Sequence, residues 1–485
     1  MDCSSKGNWF LLPAEVNGSI VKSGAGNLEL SGVSTNVANC LELCSATNVL
    51  TSTARWYGTN VVVKNSGTLL ELNDARNLSI AACLSIGEGA KIHLHSNSFV
   101  AVKECMIDGT PLPAGEYDSM NLPGALEGNG MLQVVGACKT WVGGDKGSIS
   151  DPANWDDNKA PKPGDSLMFR SSVELVEEEF DLGENDLTVI ADRGCTLKCH
   201  VVFKGEGGIV EKGAGKFDYR KAGAFSGDVH IRGGVFYPGM LTWGPFYVGG
   251  EKVTINVYRK FGATLDLGKY CTCFYNNINL IGCGDLTTRA IFVNDQSFVA
   301  GTVTADGDFY VGSGGTEHSH SFRGGIHAPG HTMRVAPYFT NKSETSNTNA
   351  LEFRAEIDAS ILRDDGIGIL KIMGSSPNHD NSFVMTQGTN MLTETAYWGG
   401  TNIIVSGPET VLRLFAKTNL SENASISLND GGLIDVAGNF LVRVAAMSID
   451  GVALGNGIYR TSNCASVRGP GAVKVGAIGM VLTVR

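Results

Sequence analysis

The chain is built from short runs in which apolar and polar residues alternate. In one such run Ile92 and Leu94 point to one face, while His93 and His95 point to the other. Similar β-rich runs are separated by Gly, Asn, Asp and Ser, which favour turns; they occupy residues 59–63, 69–72 and 98–103. Amphipathic helical stretches are essentially absent. The pattern predicts an all-β fold of many short strands.

A glycine corner recurs along the chain, at residues 18–30, 207–219 and 360–372. Each instance joins a β-branched run and a charged residue to a Gly-x-Gly turn and a second alternating strand. Glycine allows the positive φ of a tight corner. Without helices to cross over, repeated strand–turn units favour a coil of parallel strands. We therefore predict a right-handed parallel β-helix, a solenoid in which each turn shields the backbone of the next.

The opening and closing segments are copies of one another, displaced by about 342 positions. Residues 59–117 align with 401–459 without a gap, and 22 of 59 positions are identical. Chance at ordinary composition gives about four identities. The sequence thus predicts three parts. Residues 1–136 form the C-terminal part of a first β-helix unit, and residues 137–170 form a connecting and capping segment. Residues 171–485 form a second, complete unit, whose residues 350–485 repeat residues 1–136.

Two further features concern packing inside this fold. Trp141 and Trp155 lie among Gly, Asp, Asn and Pro, which predicts a compact loop covering the open end of a stack. A set of asparagines has two interpretations, either stacked at inward corners or exposed in turns; these are Asn77, Asn97, Asn419 and Asn439.

Composition limits the functional classes. The 485 residues include 63 glycines and carry a net charge of −11, which argues against a nucleic-acid partner, because such binders present basic patches. No apolar run approaches the length of a membrane span, and no signal peptide is visible in these residues. The twelve cysteines include no Cys-x-x-Cys zinc pair. Buried free thiols are favoured over disulfides.

Several glycine-rich motifs resemble a known family. Residues 207–219 and 225–236 resemble the autotransporter-associated β-strand repeat. The Trp-Val-Gly-Gly module at 141–144, with Asn-Trp and Pro-x-Gly-Asp after it, resembles the segment that heads such repeats. Residues 112–135 and 455–475 resemble their closing segments. The resemblance implies a bacterial, extracellular right-handed β-helix within a large surface protein, and it implies no chemistry.

Two clusters are candidates for chemistry. Four histidines, His318, His320, His327 and His331, lie close together, and imidazole pairs bind divalent metals. We favour solvated turn positions for them and predict no metal. Asp306 and Asp308, with Arg323 nearby, could serve the paired carboxylates of a glycosidase, although Asp-x-Asp pairs are common in exposed turns.

The sequence therefore predicts a non-catalytic structural or adhesive module, extracellular or on the cell surface. One alternative is a carbohydrate-active enzyme, a polysaccharide lyase or glycoside hydrolase, on the same scaffold. Another is a self-assembling fibre subunit. The expected partners are a surface glycan or neighbouring copies of the chain. No catalytic residue and no cofactor are predicted.

Overall fold

A computed structural model describes residues 8–74, 76–95, 99–239, 246–268, 273–294, 297–315, 320–338, 350–366 and 368–476. Half of the chain is strand and 1% is helix. The strands stack in parallel and form a β-solenoid, with about 19 turns in all. The predicted parallel solenoid is confirmed, and its hand stays a prediction.

The strands are short and follow one another closely. The first group comprises β1 (Trp9–Leu12), β2 (Ile20–Lys22), β3 (Asn27–Leu30), β4 (Val33–Ser34), β5 (Cys40–Leu43), β6 (Thr47–Leu50), β7 (Arg55–Trp56), β8 (Asn60–Val63), β9 (Leu69–Leu72), β10 (Cys83–Ile86), β11 (Lys91–Leu94), β12 (Phe99–Val102), β13 (Glu104–Ile107), β14 (Thr110–Pro111), β15 (Gly115–Tyr117), β16 (Leu126–Gly128) and β17 (Met131–Val134). We call β1–β17 the first coil.

The remaining strands are β18 (Lys139–Thr140), β19 (Lys146–Gly147), β20 (Ser166–Phe169), β21 (Val173–Leu175), β22 (Glu179–Asp181), β23 (Leu187–Ala191), β24 (Thr196–Cys199), β25 (Val202–Gly205), β26 (Ile209–Gly213), β27 (Lys216–Tyr219), β28 (Ala224–Phe225), β29 (Val229–Ile231), β30 (Val235–Pro238), β31 (Thr254–Tyr258), β32 (Thr264–Asp266), β33 (Asn277–Ile281), β34 (Ile291–Asn294), β35 (Phe298–Val299), β36 (Val303–Ala305), β37 (Phe309–Gly314), β38 (His320–Phe322), β39 (Ile326–Pro337), β40 (Ala350–Phe353), β41 (Ile357–Arg363), β42 (Ile369–Ile372), β43 (Ser375–Ser376), β44 (Ser382–Met385), β45 (Thr389–Leu392), β46 (Tyr397–Trp398), β47 (Asn402–Ser406), β48 (Val411–Leu414), β49 (Ser425–Asn429), β50 (Leu433–Val436), β51 (Leu441–Val444), β52 (Ala446–Ile449), β53 (Val452–Ala453), β54 (Gly457–Tyr459), β55 (Val467–Arg468) and β56 (Ala472–Val475). Two short 3₁₀ turns occupy Pro152–Asn154 and Arg259–Phe261.

The chain divides into two compact units. The first comprises Met1–Asp218, His230–Phe236 and Lys260–Ala263, and the second comprises Tyr219–Val229, Tyr237–Arg259 and Thr264–Arg485. In both units, strands of successive turns pair in parallel. In the first unit one sheet has the order β1-β3-β6-β9-β11-β16, and in the second one has the order β35-β38-β40-β42-β45-β48-β50-β55.

The core of each unit lies inside the coil and consists of columns of apolar side chains. One column runs from Leu41 to Val61 and Leu84, which are paired in register on β5, β8 and β10 and are fully buried. The outward neighbours on the same strands are polar or half-exposed, because successive side chains of a strand point to opposite faces. The first glycine of each Gly-x-Gly turn has positive φ, as expected: 83° at Gly24, 94° at Gly213 and 83° at Gly366.

The internal repeat is also a repeat of structure. Strands β8–β15 correspond in order to β47–β54, from Asn60–Val63 matching Asn402–Ser406 to Gly115–Tyr117 matching Gly457–Tyr459. The final hydrogen bond recurs too: the Tyr117 hydroxyl donates to the Pro113 carbonyl at 2.9 Å and that of Tyr459 to the Gly455 carbonyl at 2.7 Å. The two copies therefore share local structure as well as sequence pattern.

The asparagines divide between the two interpretations. Asn77 and Asn419 are fully buried, and each donates from Nδ2 to two carbonyls of the preceding turn. Asn439 is exposed, and Asn97 lies outside the described residues. The two buried asparagine side chains donate to backbone carbonyls rather than to other asparagine side chains. An inward corner therefore needs a side-chain donor such as the asparagine amide.

The Trp-rich segment packs on the strands that follow it. Trp155 is fully buried, and its ring lies perpendicular to that of Trp141 at 5.3 Å between centroids. Both rings are 5.9 Å from Phe169 on β20. The indole Nε1 of Trp155 donates to the Ile149 carbonyl at 2.8 Å, so that its polar atom is satisfied within the buried site.

Within the first unit, the side of the first coil packs against later strands. Ile80, Ala101 and Val135 form an apolar cluster with Met168 and Ile190. The last two are register neighbours on β20 and β23 and are buried, although they lie between the inward positions of their strands. Ion pairs also join the first coil to later residues of this unit: Arg193–Asp74 at 3.6 Å, Arg232–Glu116 at 2.6 Å and Lys260–Asp118 at 3.4 Å.

Candidate functional site

The histidine cluster is not assembled as a metal site in the described part of the chain. His320 is fully buried on β38, in register with Leu351. His327 is exposed beside Asp358, with 3.6 Å between Nδ1 and Oδ2, and His331 lies 3.9 Å from Asp308. His318 lies outside the described residues. Among those described, no three His, Cys, Asp or Glu side chains converge closely enough to hold a metal ion.

Each of the two candidate carboxylates accepts hydrogen bonds from backbone amides of a neighbouring turn. Asp306 accepts hydrogen bonds from the amides of Gly282 and Cys283, both at 2.9 Å. Asp308 accepts from the amide of Thr332 at 2.7 Å. Their bonds therefore extend in opposite directions, to the preceding and the following turn. Such bonds suit turn-forming carboxylates, since an ionised carboxylate is a strong acceptor for backbone N–H groups.

Arg323, the cation named with this pair, is engaged elsewhere. Its guanidinium lies 3.6 Å from the ring centroid of Phe298, a cation–π contact on the outward side of β35.

One buried acid was missed by the search for motifs. Glu211 on β26 is buried and continues an inward column whose preceding members are Leu167 and Val189. Burial raises the pKa of Glu211 well above its usual value, against a smaller opposing effect of the Phe217 backbone amide. The strand phase alone could have found this residue, because Ile209, Glu211 and Gly213 share the inward face.

A buried cation recurs at the same place in both repeat copies. Lys22 ends β2 in register with Leu43, and Arg363 ends β41 in register with Met385. The Lys22 ammonium donates to two backbone carbonyls, at 2.9 and 2.6 Å, and Arg363 Nη2 donates to two carbonyls at 2.8 Å each. Burial lowers the pKa of Arg363 to about 10. These cations cap turns inside the coil.

The described cysteines are all free. Four are buried, Cys105, Cys195, Cys199 and Cys464, and the other six are half-buried. Burial raises the pKa of the Cys105 and Cys199 thiols to about 12, which makes them unreactive small apolar residues. Of the predicted buried free thiols, all ten described cysteines are free but only four are buried, while Cys3 and Cys271 lie outside the described residues.

Two neighbouring tyrosines, one exposed and one half-buried, form an aromatic feature of the surface. Tyr247 and Tyr275 lie on successive turns, with ring centroids 5.4 Å apart and planes tilted by 41°. Phe246 and Phe274, which precede them in sequence, form a parallel bridge and are buried. The tyrosines therefore project outward, and the spacing between their rings is close to the separation of neighbouring strands.

Comparison of the chain with protein-family models, with curated proteins and with solved structures found no match. The resemblance to the autotransporter-associated repeat therefore stays a prediction. Across the described residues, no helix has the length and apolar character of a membrane-spanning segment.

Proposed function

We propose that this chain is a non-catalytic structural module of a cell surface, which binds polymers such as glycans through outward rows of side chains. The observation that carries the proposal is the bonding of Asp306 and Asp308. Each carboxylate accepts backbone N–H groups of a neighbouring turn, as expected of residues that build the solenoid rather than attack a substrate.

The outward face supplies contacts of the kind a polymer ligand needs. Complementary charges pair across turns, as in Arg413–Asp435 at 3.0 Å and Lys64–Glu42 at 2.8 Å. The pair Tyr247 and Tyr275 adds aromatic surface with a polar end, a combination enriched at binding interfaces. Each contact is weak, and a repeated row adds them along an extended ligand.

The test is a glycan array probed with the intact chain. We expect binding that falls at least about tenfold, or about 1.4 kcal/mol, in the double variant Tyr247→Ala and Tyr275→Ala. Tyr397→Ala, which removes a half-buried tyrosine of β46, is the control and should leave binding unchanged. Equal binding by both variants would exclude the tyrosine pair as the contact surface.

Bound glycans should also remain intact. Release of reducing ends or unsaturated sugars that disappears in Asp306→Asn and Asp308→Asn would overturn the proposal in favour of a carbohydrate-active enzyme. The location needs its own measurement, because free thiols are the usual state in reducing compartments. We expect protease treatment of intact cells to degrade the protein; complete protection would refute the surface assignment.

A further inference from the structure

Arg289, which lies two residues before β34 in the second unit, is surrounded by three aromatic rings. Its guanidinium carbon is 4.8 Å from the ring centroid of Phe292, 5.4 Å from that of Tyr338 and 5.8 Å from that of Tyr310. The rings come from three successive turns, because β34 pairs with β37 and β37 pairs with β39. Cation–π contacts of this kind use the charge of the guanidinium and leave its N–H groups available for hydrogen bonds.

Two glycines of β37 make room for these side chains. Gly312 and Gly314 share the outward face of the strand, and Gly312 is in register with Phe292. A Cβ at Gly312 would lie 2.6 Å from Cδ of Arg289, and one at Gly314 would lie 2.8 Å from Cζ of Phe292. The stem of Arg289 and the ring of Phe292 therefore lie directly on the backbone of β37, which fixes the place of the guanidinium.

Of the two arginines that contact Tyr310, only one is hydrogen-bonded to the protein. Arg334 lies 4.8 Å from the ring centroid of Tyr310, donates from Nε to Asp364 at 2.6 Å and donates from Nη1 to the Leu286 carbonyl at 2.8 Å. The guanidinium of Arg289 is half-buried and forms no hydrogen bond or ion pair with any residue that the structure describes. Buried donors are normally paired, so its N–H groups are available to a ligand.

Hydrogen-bond acceptors lie beside these donors. The side chains of Asp364 and Asp365 are 34% and 35% exposed, and an oxygen of Asp365 is 3.8 Å from Nη2 of Arg334. Burial raises the pKa of Tyr338 to about 12, and a hydrogen bond to Asp365 adds to the rise. The Tyr338 hydroxyl is therefore neutral at physiological pH. Two arginines and two aspartates give this part of the surface a net charge of zero.

We infer that an uncharged sugar residue of a glycan binds here, at a surface that we call the Arg289 patch and that consists of Arg289, Phe292, Tyr338, Asp364 and Asp365. The N–H groups of Arg289 donate to sugar hydroxyl oxygens, and the two carboxylates accept from sugar hydroxyl groups. The two rings offer apolar surface to the C–H face of the sugar, since binding sites combine aromatic side chains with a few polar groups. An acidic sugar is disfavoured, because its carboxylate would meet those of the aspartates. The inference rests on the proposed function and names a ligand class for it at a second site.

The experiment is affinity electrophoresis of the full chain in gels that contain a β-glucan, a mannan, a galactan or polygalacturonate. We expect at least one neutral polymer to retard the chain, and Arg289→Met, which keeps an apolar stem over Gly312, to weaken that binding at least about tenfold. The matched control is Arg323→Met, which removes another arginine that lies over an aromatic ring, that of Phe298, and should leave binding unchanged. Retardation by polygalacturonate alone, by none of the neutral polymers, or an equal loss in the control would each overturn the inference.

Comparison with the double variant Tyr247→Ala and Tyr275→Ala separates this inference from the proposed function. Binding that falls in Arg289→Met and persists in the double variant supports the Arg289 patch, whereas the reverse pattern overturns it and leaves the proposed function standing. Hydrogen exchange at β34 and β37 should be unchanged in Arg289→Met. If it is faster, Arg289→Lys decides, because lysine keeps the charge and lacks the planar set of donors; full binding by Arg289→Lys would then overturn the inference, and weakened binding would support it.

Discussion

Replacing Glu211 with glutamine should remove a pH-dependent loss of stability from the first unit. The Glu211 carboxyl is buried in an apolar column, and its pKa in the folded chain is raised well above the usual value because burial disfavours the charged form. The unfolded chain releases this proton near pH 4.3, while the folded chain keeps it.

The direction of the pH dependence of stability follows from this difference in pKa between the folded and the unfolded chain. Stability is greatest below about pH 4.3 and falls as the pH rises towards the folded pKa, by about 1.4 kcal/mol for each pH unit. Glu211→Gln keeps the shape and cannot ionise, so this contribution to the slope disappears. Glu211→Met, which also removes the polar group from the column, should stabilise the turn by about 1–3 kcal/mol at neutral pH.

The assay is native-state hydrogen exchange at β26, corrected for the intrinsic effect of pH on exchange. A local measurement is needed because stacked turns do not unfold as one unit. The control is Glu206→Gln, an exposed position beside the same strand, which should leave the slope unchanged. Identical pH slopes for the parent chain and Glu211→Gln would refute the reasoning.

Three more predictions concern a buried asparagine, the side packing of the first coil and a buried carboxyl group. Asn419→Ala should cost about 2 kcal/mol at its turn, because two buried carbonyls lose their donor, whereas Asn439→Ala at an exposed turn should cost less than about 0.5 kcal/mol. Exchange protection of the strand that follows each site, β49 for Asn419 and β51 for Asn439, measures the two effects, and equal effects would contradict the assignment. Ile80→Glu should destabilise the side packing by about 3 kcal/mol, seen as faster exchange in β12 and β20, and unchanged exchange would exclude that contact as stabilising. Burial raises the pKa of Asp192 to about 6, so the turn that holds it should lose stability as the pH rises from about 4 to about 6. Native-state hydrogen exchange at β23 should show that fall in the parent chain and not in Asp192→Asn, and a persisting fall would exclude Asp192 as its source.

The fold was predictable because its signals are local. A period of two marks each strand, and positive φ at Gly24, Gly213 and Gly366 marks the corners. Which asparagines point inward was not predictable, because that depends on carbonyls 23 and 26 residues away along the chain.

The hydrogen-bond partners of the candidate carboxylates were not predictable for the same reason. Asp306 and Asp308 look alike in sequence, yet one bonds to the preceding turn and the other to the following turn. The side packing has a signal in the sequence, apolar residues on both faces of a strand, that the sequence analysis did not use. Residues 166–169 and 187–191 are apolar on both faces, and Met168 and Ile190 are the outward members.

The two halves of the duplication are no longer interchangeable parts. Where the earlier half has Ile80 and Ala101 against its neighbour, the later half has Glu422 and Arg443, both exposed. Transplanting 401–459 into the place of 59–117 would press a carboxylate and a guanidinium onto Met168 and Ile190. The repeat copies thus share their interior and differ on this flank, so the later copy cannot replace the earlier one without loss of the side packing.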